Sequence, residues 1–273
     1  MNIALLIEAA RRAAYAAGEI IREGAQREIL QEYKEGGSNL ASQVVSEIDR
    51  AAEQAIMDHL LPTCKKFDLA ILSEETEDDG GRFEKDFFWC TDPLDGTLAF
   101  LRKQEGYAVS IALVSKAGTP HLGFIYDPIE EVLYEAIKGQ GVYKNQKPWK
   151  IESDNDYLTY VSDRPLAETP RADEIEALLK EKAAALGLRG FKEYKGKGLV
   201  LNAMRVLENA PACMLKLPKP ELGAGSIWDY AASACFFEEL NFRVSDFDGQ
   251  PLELNKKENT FMNHRGTFYA TFS

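Results

Sequence analysis

Basic charge in excess, histidine, paired cysteines and long apolar runs are all scarce in this chain, and each shortage closes off a class of function. Its 273 residues carry 44 acidic against 32 basic side chains, a formal net charge of -12. A protein that binds a nucleic acid polymer needs a basic stripe to displace counterions, and this balance supplies none in sum. A small anionic ligand stays open, because bound cations invert the field locally. The three histidines, His59, His121 and His264, are too few for a histidine-rich metal site. Cys64, Cys90, Cys213 and Cys235 show no paired spacing, which fits reduced thiols in a cytoplasmic protein, not a disulfide framework or zinc site. Glu8, Arg11 and Arg12 break up the apolar N-terminal stretch, so it reads as neither a signal peptide nor a membrane span. Low-complexity tracts and solenoid repeats are also missing. Gly196-Lys197-Gly198 and Gly223-Ala224-Gly225-Ser226 lack the spacing of a P-loop or a dinucleotide fingerprint, which argues against a kinase or nucleotide-dependent transferase.

What is there is an ordinary globular composition, 45% hydrophobic and 10% aromatic, in a chain long enough for a substantial core. Residues 3–24 repeat apolar side chains at helical spacing, with Gly24 as a stop. The polar stretch 25–45 predicts a loop or hairpin, and a second helix is expected from Ser46. Short apolar runs at 69–72, 87–91, 107–115, 122–126 and 132–136 predict strands in a mostly antiparallel sheet. Beyond residue 151 the rhythm becomes strand and helix: strands at 158–161, 212–215, 242–244 and 267–271, helices at 172–186, 199–207 and 228–240. These patterns predict an α/β protein of layered sheets and helices. They divide it into an α+β half at 1–150 and an α/β half at 151–273.

The densest chemistry is Asp92-Pro93-Leu94-Asp95-Gly96-Thr97, which follows the 87–91 strand. Pro93 is expected to end that strand, and Gly96-Thr97 to turn the chain so that Asp92 and Asp95 converge. Two carboxylates forced together repel unless protons or cations neutralise them, and magnesium is the hard cation that takes such oxygen ligands. The Leu94 carbonyl stands between them as a further ligand. The Gly96 and Thr97 amides would open a helix and face a phosphate. By itself the segment is also a good turn sequence. Two other features shift the balance. Glu74 and Glu75 follow the 69–72 strand, so a parallel neighbour would bring Glu74 to the same sheet edge as Asp92. Asp229, after Trp228, opens a helix, where aspartate is favoured by the helix dipole as well.

Together these segments resemble the inositol monophosphatase superfamily of magnesium-dependent, lithium-sensitive phosphatases. The resemblance rests on Asp92–Thr97, on Trp228-Asp229-Tyr230-Ala231-Ala232, on the Glu74-Glu75 pair and on Ser46-Glu47-Ile48-Asp49. It implies the layered αβαβα sandwich and the hydrolysis of a phosphate monoester on a small metabolite. It implies two or three magnesium ions, one held by Glu74, Asp92 and the Leu94 carbonyl, a second by Asp92, Asp95 and Asp229. Water activated by the ions would be the nucleophile, oriented or deprotonated by Thr97 linked to Asp49, with Glu75 as a secondary acid. The substrate would meet Glu74, Leu94, Asp95, Gly96, Thr97 and Asp229. Most metal ligands would come from the first half, and Asp229 with the substrate-side residues from the second. A homodimer is expected by analogy, with neither nucleic acid nor membrane as partner.

Leu94, the Leu72–Glu75 stretch, Gly249-Gln250-Pro251-Leu252 and the tail Asn259-Thr260-Phe261-Met262-Asn263 are similar to the 3'(2'),5'-bisphosphate nucleotidase branch. Three departures bear on the substrate. Where that branch has a Gly-Ser-Ser-Leu-Lys-like stretch, this chain reads Gly198-Leu199-Val200-Leu201-Asn202. The loop Pro218–Ser226 is a few residues longer, and Gly36–Val44 lacks the usual Ser-Pro. An inositol monophosphatase or related sugar phosphatase is the alternative, and a non-catalytic binding protein on the same fold the alternative of another class. Lys34 is read as a solvated side chain and Asp246-Phe247-Asp248-Gly249 as a plain acidic turn.

Overall fold

A computed structural model describes residues 1–26, 38–196, 198–221 and 225–272, with side chains from residue 47 onward in the second segment. Lys34, part of Gly36–Val44, Lys197 and residues 222–224 lie outside it, so the expectations placed on them are not addressed.

Two helices come first, α1 (Ile3–Gln26) and α2 (Ser38–Phe67). Helix α1 passes Gly24 rather than stopping there. Gly24 is buried, and a Cβ on it would lie 2.6 Å from Ile48 Cδ1, so this glycine serves helix packing instead of termination. Helix α2 begins at Ser38, eight positions before the expected start. Leu40, Ala41, Val44 and Val45 already stand at helical spacing there. The turn signal was confined to Gly36-Gly37-Ser38.

The first sheet follows: β1 (Ala70–Ser73), β2 (Phe87–Asp95), β3 (Ala108–Ser115), β4 (Pro120–Asp127), β5 (Val132–Ile137), β6 (Gly141–Lys144) and β7 (Lys147–Pro148), ordered as in the chain. Strand β1 runs parallel to β2 and the other pairs are antiparallel. A short helix, α3 (Thr97–Leu101), joins β2 to β3. Contrary to the sequence expectation, Pro93 does not end β2. Asp92 pairs with Ser110 and Asp95 with Ala108, so Pro93 and Leu94 together oppose Val109 in a β-bulge. A bulge is the place in a strand where a proline costs no ladder hydrogen bond.

The second sheet has the order β11-β12-β10-β8-β9, with β8 (Leu158–Ser162), β9 (Phe191–Lys195), β10 (Ala212–Lys216), β11 (Arg243–Ser245) and β12 (Thr267–Ala270). Strand β9, Phe-Lys-Glu-Tyr-Lys, is a charged edge and carries no apolar alternation to read. Helices α4 (Ala172–Ala185), α5 (Leu199–Glu208) and α6 (Ile227–Glu239) complete the chain.

Alternate side chains of β2 sort the layers. Trp89 joins Leu6, Ala10, Ile56, Leu113 and Phe124 in a core between the first sheet and α1/α2. Phe88 and Cys90 face a second core with Val206, Ala231, Phe236, Met214 and Tyr269, so α5 and α6 lie between the two sheets. Leu158, Tyr160, Leu179 and Phe268 form a third core, between the second sheet and α4. The result is the αβαβα sandwich. Away from the edge strands β7 and β9, both faces of each sheet are covered, which is why those strands read as continuous apolar runs. Among the described residues, no helix is long and apolar enough to cross a membrane.

Candidate active site

Parallel pairing places the first two acids. Ser73 is level with Thr91, and the Glu74 N–H donates to Thr91 O at 3.2 Å. Glu74, just past the end of β1, and Asp92, within β2, are therefore neighbours, and a side-chain hydrogen bond joins their carboxyls. In the bulge, Asp92 Oδ1 accepts the Leu94 N–H at 2.9 Å, which folds the loop back on its own first residue. Gly96, at φ 86°, then turns the chain into α3 in a conformation that favours glycine.

Asp95 and Asp229 arrive from different layers. Asp95 Oδ2 accepts the Val200 N–H at 2.9 Å, and the Leu199 amide also bonds this carboxylate, so Asp95 caps the start of α5 from outside the helix. Asp229 is the third residue of α6. Its Oδ2 accepts the Ser226 N–H at 2.6 Å in a capping box. One carboxylate oxygen each of Asp92, Asp95 and Asp229 lies within 4.8 Å of the others.

This arrangement is electrostatically costly in the absence of a cation. Asp92 is 1% and Asp95 7% exposed. Burial first, then the charges of Glu74, Asp229 and Asp95, hold the Asp92 carboxyl well above the usual carboxylate range. Burial and Asp229 do the same to Asp95, and burial leads the upward shifts of Glu74 and Asp229. Lys216 is a cation that acts on Asp229. A group of all-oxygen donors that repel one another, with Asp92 and Asp95 buried, Asp229 half-buried and Glu74 at the exposed rim, fits a hard divalent cation such as magnesium.

Asp49 lies on α2 next to the Glu74–Thr76 loop, where burial, then Glu75 and Glu74, push it up to about 7. One turn later, Glu53 Oε1 accepts the Thr76 hydroxyl at 2.9 Å and fastens that loop to the helix. Glu75 is exposed beside them. The Thr97 hydroxyl donates to Leu94 O at 3.2 Å rather than to Asp49. The structure thus gathers Glu74, Asp92, Leu94, Asp95, Thr97 and Asp229 around one loop, with Asp49 and Glu75 at its flank. Sequence reasoning missed the Leu199 and Val200 amides, Glu53 and Lys216. Their partners are distant in the chain, and no local pattern marks them. Ser226 did carry a local signal: Ser226-x-x-Asp229 has capping-box spacing.

The profile of the Inositol monophosphatase family matches residues 2–271. The 3'(2'),5'-bisphosphate nucleotidase CysQ of Shigella flexneri is 32% identical over 222 residues, covering 80% of this chain and 82% of that protein. Inositol monophosphatase 3 of Solanum lycopersicum is 30% identical over 262 residues, covering 94% and 91%. The crystal structure of CysQ from Bacteroides thetaiotaomicron superposes with a TM-score of 0.77 at 24% identity, covering 97% of both chains, a likeness of fold. The chain belongs to the inositol monophosphatase family, whose members are magnesium-dependent phosphatases of phosphate monoesters.

Proposed function

We propose that this chain removes the 3'-phosphate of a nucleoside 3',5'-bisphosphate, converting adenosine 3',5'-bisphosphate to AMP. The observation that carries this choice is a cleft beside the acids, lined among others by Arg164, Arg171, Leu199, Asn202, Lys216 and Lys219. Leu199 joins it to Asp95, and Lys216 to Asp229. Arg164 and Lys216 pair with Asp163, and Arg171 with Glu174. Four cations against two acids leave a positive island in a chain of net charge -12. A second phosphate on the leaving group uses the positive charge that Asp163 and Glu174 leave over, whereas a neutral polyol does not. The lysine missing from Gly198–Asn202 is thereby replaced by charge at the ends of β8 and β10. The name of the Shigella flexneri relative points the same way.

In this reading Glu74, Asp92 and the Leu94 carbonyl hold one magnesium ion, and Asp92, Asp95 and Asp229 a second, with two or three ions bound in all. Bound there, magnesium supplies charge that offsets the phosphate and lowers the pKa of water. Thr97, its proton committed to Leu94 O, is left as an acceptor that orients the attacking water. Asp49 and Glu75 are the acids at hand to take up a proton. The Gly96 and Thr97 amides meet the phosphate oxygens. Cytoplasmic residence, a homodimer and sensitivity to lithium belong to the same proposal.

The test is phosphate release with magnesium, with and without lithium, from adenosine 3',5'-bisphosphate, inositol 1-phosphate and fructose 1,6-bisphosphate. The bisphosphonucleoside is expected to give the highest kcat/KM. An equal or higher value for inositol 1-phosphate removes the nucleotidase reading, and no turnover of any of the three favours a binding protein.

A further inference from the structure

The tail Asn259–Asn263 has no part in the site described, yet it is hydrogen-bonded to both segments that lead into it. On one side, the Ile227 N–H donates to Thr260 O and the Met262 N–H to Gly225 O, each at 2.9 Å. Ser226 and Phe261 form an antiparallel bridge between those bonds. These contacts hold the residues just before α6, including the Ser226 N–H that Asp229 accepts. On the other side, the Lys219 N–H donates to Asn263 O at 3.1 Å, and Asn263 Nδ2 donates to Glu221 O at 2.5 Å. Asn263 is 4% exposed, so water cannot easily replace these bonds once they are broken. Gly266 allows the close approach. It has φ 65°, and a Cβ there would lie 2.4 Å from Lys216 O and 2.8 Å from Pro218 N.

We infer that residues 259–266 are a clasp that sets the spacing between the cationic wall of the cleft, Lys216 and Lys219, and the carboxylate of Asp229, with Asn263 as its positioning residue. The inference rests on the nucleotidase reading for the ligand it serves. The scissile phosphate sits at the acids while the second phosphate reaches the cations, so the clasp fixes the length of substrate that spans both. One side of the tail alone holds only one end of that span. Asn263 and Gly266 hold the lysine side, and Thr260 to Met262 hold the α6 side.

The experiment compares Asn263→Ala and Lys219→Ala, singly and together, on adenosine 3',5'-bisphosphate and on phenyl phosphate, which has no second phosphate. Asn263→Ala is expected to raise KM for the bisphosphate about tenfold, with kcat and the magnesium half-saturation within about twofold. KM for phenyl phosphate stays put, and the double variant is little worse than Lys219→Ala alone. Asn263→Asp, which keeps the shape and removes the donor, replaces the alanine variant if that one does not fold. Equal losses on both substrates, or additive effects of the two positions, overturn the clasp. A wild type that turns over both substrates alike sinks the nucleotidase reading instead. In that case hydrogen exchange without substrate decides the clasp: Asn263→Ala must speed exchange at Lys219, and unchanged exchange there overturns it.

Discussion

Asp95 does two jobs with one carboxylate. Its Oδ2 accepts the Val200 N–H and so caps α5, while the group as a whole stands in the acidic cluster. Asp95→Asn separates the two, since an asparagine oxygen still accepts the amide hydrogen bond but brings no charge to a cation. We expect kcat/KM to fall by about 100-fold or more, beyond what losing a supporting contact to a ligand costs. The melting temperature of the metal-free protein should hold or rise, because one repelling charge is gone. Unchanged turnover would remove Asp95 from the metal site. The acids were legible at this scale because Asp92 to Thr97 fit within six residues, and Asp229 follows Trp228 in the first turn of a helix. Lys216 was not, since its importance comes from a neighbour on another element.

At the scale of elements, the site depends on how closely α6 lies on the first sheet. Gly123 of β4 makes that approach possible: a Cβ there would sit 2.5 Å from Ala232 O and 3.0 Å from Cys235 Cβ, both on α6. Gly123→Ala must lift the helix or bend the strand, at a cost of about 1–3 kcal/mol in urea denaturation. Because α6 carries Asp229, the variant should also need more magnesium for half-maximal activity. Lost stability with an unaltered magnesium requirement would mean that α6 shifts without moving its first turn. Most elements followed from apolar spacing, but three boundaries did not, the end of α1 beyond Gly24 among them. Helix α2 starts at Ser38, where the apolar residues Leu40, Ala41, Val44 and Val45 keep a helical spacing within a stretch that reads as polar. Strand β2 runs through Pro93 because its partner β3 tolerates a bulge there, and a local rule about proline has no access to the partner.

For the molecule as a whole, the crowded acids tie stability to pH and to metal. Asp49 goes from 3.8 to about 7 on folding, chiefly through burial, and Asp92, Asp95, Glu74 and Asp229 move in the same direction. Raised carboxyl values mean that the folded chain binds more protons than the unfolded one between about pH 4 and pH 7 and above. Stability therefore falls as pH rises through that window, and these groups favour folding least when all are ionised. A tenfold difference in proton affinity between the folded and unfolded chain is worth about 1.4 kcal/mol. In a chain of this size, 1 kcal/mol moves the melting temperature by about 2–4 °C. In chelator, the melting temperature should drop by more than about 5 °C from pH 5 to pH 8, and magnesium should remove most of that drop. Parallel curves with and without magnesium would show that the cluster is not where the metal acts.

By itself the sequence determined the reaction. The candidate metal acids sit in short motifs whose residue types and offsets follow local chemistry: paired aspartates beside a glycine that turns the chain, and an aspartate in a helix's first turn. It determined the class too, layered sheets and helices, because the inner strands are covered on both faces and record this as apolar runs, while the αβαβα order came with the family resemblance. Only the tertiary structure decided what stands beside the acids, the cleft proposed for the second phosphate. Arg164 lies beyond β8, Lys216 and Lys219 at the end of β10 and Asn263 in the tail, which meets the segments flanking residues 222–224 through main-chain bonds and the Asn263 side chain, contacts that no local pattern encodes. Hydrophobic periodicity reports which way a residue faces, but the distance between two charged groups on different elements is fixed by packing. We propose that this distance selects the substrate.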